Sequence, residues 1–163
     1  MGNVFEGDGV SLELSNGGTE VFVEVLVLAV SDLAEDEWDH RFAALLTWQD
    51  QNVRGRGAVG FDLRDIAWGS TPAECTRAKD FVLRSVDLAL TGHRWDELGY
   101  DPPFVRDHLR RFRSMVASFT PTPADGPGDG FPSPEERAAT SCVRHRVLSA
   151  LPHQGGCLLC ASR

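Results

Sequence analysis

The ten residues Val21-Phe-Val-Glu-Val-Leu-Val-Leu-Ala-Val30 carry one polar side chain, Glu24, among apolar neighbours. Read by periodicity, this run is a strand apolar on both faces, lying centrally beneath a helix. Ahead of it Val10, Leu12 and Leu14 alternate with polar residues, and Asn16-Gly17 offers the positive φ angles of a tight turn, so the two runs read as a hairpin. Behind it, Asp32 followed three residues later by Glu35 looks like a capping box. Trp38, Phe42, Leu45 and Leu46 then recur at helical spacing, predicting a helix to about Gln51 that lies on the sheet.

Gly55-Arg-Gly-Ala-Val-Gly60 interrupts the pattern, and 58–63 reads as a further short strand before Asp65 and Trp68. The string Gly55-x-Gly57-x-x-Gly60 matches a dinucleotide fingerprint in letters only. That motif needs a strand before it and a helix after it, and here a helix precedes, so it reads as a glycine-rich loop. Thr71-Pro-Ala-Glu74 is the clearest helix start in the chain, with a capping Thr, Pro at the first helical position and Glu at the third. Cys75, Ala78, Phe81, Val82, Val86, Ala89 and Leu90 predict a deeply buried face on a helix over 72–90. A further helix follows over 105–119, with Val105, Leu109, Phe112, Val116 and Phe119 on one side and arginines on the other.

Residues 120–134 hold eight Pro or Gly among fifteen, a linker composition that cannot build a core of its own. Ser133-Pro-Glu-Glu136 then caps a short helix. The expected fold class is α+β: a small antiparallel sheet of two or three strands packed by about three helices, followed by a short C-terminal tail. The expected division is a globular domain over 1–119, a linker over 120–134 and a tail over 135–163.

The 163 residues include 16 Lys or Arg against 24 Asp or Glu, for a net charge of −8. All of the excess lies in residues 1–40, which hold ten acids and no Lys or Arg. Such a surface disfavours nucleic acid, which is bound by Lys and Arg that displace counterions, and suits a basic partner or simple solubility. No apolar run reaches the roughly 18 residues of a membrane span and no signal peptide is visible, so a cytoplasmic location is the expectation.

Cys142-Val-Arg-His145 and Cys157-Leu-Leu-Cys160 form a Cys-x2-His-x11-Cys-x2-Cys pattern. A two-residue spacer lets both members of a pair reach one ion across a tight turn, and two pairs meet the tetrahedral demand of zinc. Gly155-Gly156 supplies backbone freedom beside Cys157. The tail resembles the zinc knuckles and short zinc ribbons that end many small bacterial proteins, with Cys142, His145, Cys157 and Cys160 at the ligand positions. That resemblance implies a structural metal, and His153 is near enough in sequence to replace His145 as the nitrogen ligand.

Elsewhere no Ser/His/Asp, paired-carboxylate or phosphate-loop pattern stands out, and no catalytic or cofactor-binding residues are assigned. Cys75, on the apolar face of a helix, reads as a buried core cysteine. Asp62, Asp65, Trp68, His93, Trp95 and Tyr100 are the candidates for a pocket or partner site, or else for loop caps and a minor core. The functional expectation is a non-enzymatic bacterial protein-binding module, similar in character to small acidic immunity or antitoxin proteins, or an accessory subunit, with structural zinc. The alternative is a small enzyme or ligand-binding domain with its pocket near Asp62, Asp65, His93 and Trp95. A weaker alternative is nucleic-acid binding through the Arg-rich helix and the tail.

Overall fold

The computed structural model describes residues 3–100, 102, 104–124, 130–140, 142, 144–150 and 158–161. The run 21–30 is helical, which corrects its assignment as a strand. Helix α1 spans Asn16–Leu33, and its residues from Phe22 to Val30 are all buried except Glu24. A short apolar run is compatible with either conformation. What decides it is that the other helices and the sheet surround this segment, and a helix that is apolar nearly all round can be buried at the centre of a domain.

Its start is set by Ser15, whose hydroxyl accepts from the amide of Gly18 at 3.0 Å, while the Thr19 hydroxyl returns to the Ser15 carbonyl at 2.7 Å. Asn16-Gly17 is therefore the first turn of a helix and not a hairpin turn. The hairpin is made earlier, by β1 (Asn3–Gly7) and β2 (Val10–Leu14), paired antiparallel from Asn3 opposite Leu14 to Gly7 opposite Val10. Its turn is Asp8-Gly9, both at positive φ (50° and 83°), as a two-residue turn matching strand twist requires.

The next helix, α2 (Glu37–Thr47), begins a turn later than the sequence reading placed it and ends four residues sooner. Its capping box is Asp36 with Asp39, not Asp32 with Glu35. The Asp39 carboxylate accepts from the amides of Glu35 and Asp36 at 2.9 and 3.1 Å. A single helical turn, α3 (Gln51–Arg54), leads into the glycine-rich loop. Beyond it the chain runs parallel to β1, with the Val4 amide donating to Val59 and the Glu6 amide to Phe61 at 3.0 and 2.9 Å. The third strand expected over 58–63 does not form: this short lane carries an isolated bridge between Asp62 and Glu6, Leu63–Asp65 closes into a 3-10 turn, and the sheet stays two-stranded.

Helix α4 (Pro72–Leu90) has the predicted start, with the Thr71 hydroxyl accepting from the Glu74 amide at 3.1 Å. Thr71→Ala is expected to cost about 1 kcal/mol, read as a lowered midpoint in urea unfolding. Helix α5 is Val105–Ser118, and α1 packs against α2, α4 and α5. Phe5, Phe22, Phe61 and Phe112 meet edge to face, with centroids 5.0–6.3 Å apart. Trp38 stacks on Phe42, Trp68 and Phe131 in a second aromatic group. Phe131, from the Pro/Gly-rich stretch, is thus buried in the core of the body, and Arg41 Nε holds the neighbouring Pro132 carbonyl at 2.7 Å.

Two short strands, β3 (Ala139–Thr140) and β4 (Leu148–Ser149), pair antiparallel, and a last turn of helix, α6, covers Leu158–Ala161. The architecture is mixed α and β and mostly helical, with two-stranded antiparallel sheets. Among the described residues, no helix is long and apolar enough to cross a membrane.

Candidate metal centre

The loop that joins β3 to β4 carries Cys142 and His145. It folds back sharply: the Arg146 amide donates to the Cys142 carbonyl at 2.7 Å, and Arg146 itself adopts a left-handed φ of 56°. This turn aims the Cys142 sulfur and the His145 ring at one point, and α6 brings Cys160 to the same place. Cys142 Sγ lies 3.4 Å from His145 Nδ1 and 3.7 Å from Cys160 Sγ, and Cys160 Sγ lies 3.3 Å from His145 Nδ1.

These spacings have a chemical reading. Zinc in a tetrahedral site, with bonds of about 2.3 Å to sulfur and about 2.0 Å to nitrogen, holds two sulfurs about 3.8 Å apart and sulfur and nitrogen about 3.5 Å apart. The three observed edges fall within about 0.2 Å of that triangle. A disulfide would bring the sulfurs to about 2.05 Å, so the pair is not oxidised here. Cys142, His145 and Cys160 therefore lie close enough to hold a metal ion.

The electrostatics favour the ligand form of the thiol. The backbone amide of His145 is the main influence on Cys142, and the His145 ring, Cys160 and the Arg144 amide add to it. Together they outweigh desolvation and push the thiol down to about 6. An amide aimed at sulfur stabilises the thiolate, the species that binds metal. Cys157 and His153 lie outside the described residues. No family model, curated protein or solved structure matches the chain.

The loop is tied to the body by a residue that sequence reading did not single out. Arg94 donates to the His145 carbonyl at 2.6 Å, to Glu97 at 2.6 and 3.1 Å and to Asp32 at 3.4 Å. Asp32, on the last turn of α1, also meets His93 Nε2 at 2.6 Å. The Glu97 carboxyl is held below its ordinary value, chiefly by its hydrogen bond from Arg94.

The six pocket candidates are distributed differently from the sequence expectation. Asp62 and Asp65 line a small depression of about 120 Å³, where Asp62 caps the Arg64 amide and pairs with the Arg64 guanidinium at 2.8 Å. Trp68 is buried and donates to the Leu63 carbonyl at 2.8 Å. Trp95 is buried under the Arg106 guanidinium, and Tyr100 donates to Glu24. Among the described residues, no hydrogen bond, ion pair or ring contact joins Asp62, Asp65 or Trp68 to His93, Trp95 or Tyr100. Cys75 is buried, with its thiol against the Gly69 carbonyl at 3.7 Å and its pKa raised by that burial.

A larger cleft, of about 350 Å³, opens between α1, the segment after α2 and the β4 edge. Val23 and Val27 form its floor and Val147 and Leu148 its wall, while Glu20, Glu24 and Asp50 stand at the rim with Arg56. Burial raises the Glu24 carboxyl above its ordinary value, against the hydrogen bond from Tyr100, and the charges of Glu20 and Asp50 raise it further. Glu20, Val23, Glu24 and Val27 share one face because the segment is a helix; in a strand the two glutamates and the two valines would lie on opposite faces, so reading it as a strand hid this cleft.

Proposed function

We propose that this chain is a non-enzymatic protein-binding module whose C-terminal tail is folded by a structural zinc ion held by Cys142, His145, Cys157 and Cys160. The observation that carries the reading is the Cys142, His145 and Cys160 triangle, whose edges fit tetrahedral zinc. Cys157 supplies the fourth donor by its two-residue spacing from Cys160. Four protein ligands leave no place for water, so the ion organises the tail and performs no hydrolysis.

The partner is a basic protein surface, in the manner of an immunity or antitoxin protein or an accessory subunit, met in the cytoplasm. The acid-only charge of residues 1–40 supports this, as does the cleft that sets Glu20, Glu24 and Asp50 around an apolar floor. An aliphatic stem ending in a cation fits such a lining in both its parts.

Protein purified without added metal is expected to carry about one zinc per chain, and the Cys142→Ser, Cys160→Ser double variant none. Wild-type protein without metal would end the zinc reading. A fluorescent oligoarginine peptide is expected to bind with a salt-dependent affinity that falls at least about tenfold in a Glu20→Gln, Glu24→Gln, Asp50→Asn variant. Equal binding by the two proteins, or none by the wild type, would remove the cleft from the interface.

A further inference from the structure

Three of the hydrogen bonds between the tail and the body end on the metal loop or on the segment that follows it. The Arg94 guanidinium holds the His145 carbonyl at 2.6 Å, the Leu148 amide donates to Ser31 Oγ at 3.0 Å, and the Ala150 amide donates to Thr47 Oγ1 at 3.2 Å. Both hydroxyls spend their own protons inside their helices, Ser31 on the Val27 carbonyl and Thr47 on the Ala44 carbonyl. Their lone pairs are thereby turned toward the tail. Arg94 is equally fixed: its side chain is 13% exposed, gripped by Glu97 and Asp32, on a backbone with φ 62°.

We infer that metal binding is what raises the wall of the 350 Å³ cleft: an ion on Cys142, His145 and Cys160 seats the His145 carbonyl on Arg94 and so lays Val147 and Leu148 over α1. The inference rests on the metal reading above and adds to it a regulation: the cleft is complete only in the metal-loaded chain, and whatever binds there binds in a metal-dependent way. The reason lies in the cost of ordering the segment. Its ladder with β3 is two residues long, too short to be stable alone. Val147 and Leu148 bury their side chains against the cost of ordering the backbone and side chains of residues 144–150. A metal that cross-links this loop to α6 removes much of that cost before docking. Arg94 then acts as a positioning residue that fixes where the closed loop sits.

The test is amide hydrogen exchange by NMR on the full-length 15N-labelled chain, zinc-loaded and chelator-stripped, with metal content measured on the same samples. The Leu148 and Ala150 amides report docking directly, and the Ala89 amide in buried α4 reports the body. Stripping is expected to speed exchange at Leu148 and Ala150 by at least about 100-fold while leaving Ala89 unchanged. The Arg94→Ala variant is expected to keep its zinc and to speed the same two amides about tenfold. Leu148 and Ala150 remaining protected after zinc is gone would overturn the inference while leaving the zinc reading intact, and so would loss of protection at Ala89 together with them. Unchanged exchange in zinc-loaded Arg94→Ala would overturn the role of Arg94. Failure to find zinc at all would show in the metal content and would bring down the metal reading, and this inference with it.

Discussion

Arg77→Met is expected to lower stability by about 2 kcal/mol at pH 7, the cost of breaking from one side an ion pair whose carboxylate is buried and whose arginine side chain is 37% exposed. Asp39 is fully buried, and its carboxylate takes a two-pronged grip from Arg77 at 2.7 and 2.8 Å in addition to its two capping amides. Burial alone would raise the Asp39 carboxyl. The Arg77 hydrogen bonds and the amides of Glu35 and Asp36 outweigh it and hold the group below its ordinary value. Methionine would keep the stem of the side chain and remove the charge, leaving a buried carboxylate with only the amides.

The pH dependence follows from that direction. A carboxyl whose folded pKa is depressed contributes stability that is full above its unfolded value of about 3.9 and is lost as pH falls through the folded value. The wild type should therefore lose this contribution only in acid. In Arg77→Met burial is less opposed, the folded pKa rises, and protonation relieves the variant. The gap between the two proteins, measured by urea unfolding from pH 7 to pH 3, is expected to be widest at pH 7 and to narrow below about pH 4. A gap that stays constant with pH would show that Arg77 stabilises by packing alone.

Gly60→Ala is expected to cost about 3 kcal/mol or more and to lower the thermal midpoint by roughly 6–12 °C. Gly60 sits at φ 134°, a region that side chains rarely enter, and a Cβ there would stand 1.7 Å from the Val4 carbonyl oxygen and 2.5 Å from its carbon. The clash is with backbone, which no rotamer change relieves. Accommodating it would pull the 58–62 lane off β1 and break the bonds from Val4 to Val59 and from Glu6 to Phe61. Gly55→Ala separates this clash from simple backbone strain, because Gly55 also has a positive φ, 95°, but opens into empty space. Its cost should be about 1–2 kcal/mol. Equal losses from the two substitutions, measured by calorimetry, would mean that the approach to β1 is not what constrains Gly60.

The helix at 72–90 was legible because its signals are local: Thr71 caps, Pro72 starts, and the apolar residues recur on one face within the same twenty residues. The metal loop was legible for the same reason, since a two-residue spacing between ligands is a statement about one turn of chain. The nearby choice between Asp32 with Glu35 and Asp36 with Asp39 was not, because both pairs have the right spacing. Arg77, 38 residues from Asp39, supplies the partner that makes the second pair the cap. Nor did spacing indicate that Asp32 would serve His93 and Arg94 instead.

The sequence by itself determined the mixed class of the fold, its amphipathic helices α4 and α5, the acid-only first forty residues and the Cys/His pattern of the tail. Only the tertiary structure decided that 21–30 is a central helix, since an apolar run holds no periodicity to read and its conformation depends on what surrounds it. The same holds for the cleft and for the seat of the metal loop on Arg94. Glu24 faces Tyr100, and His145 meets Arg94, across 76 and 51 residues of chain, and contacts at that range are set by packing and not by any local pattern.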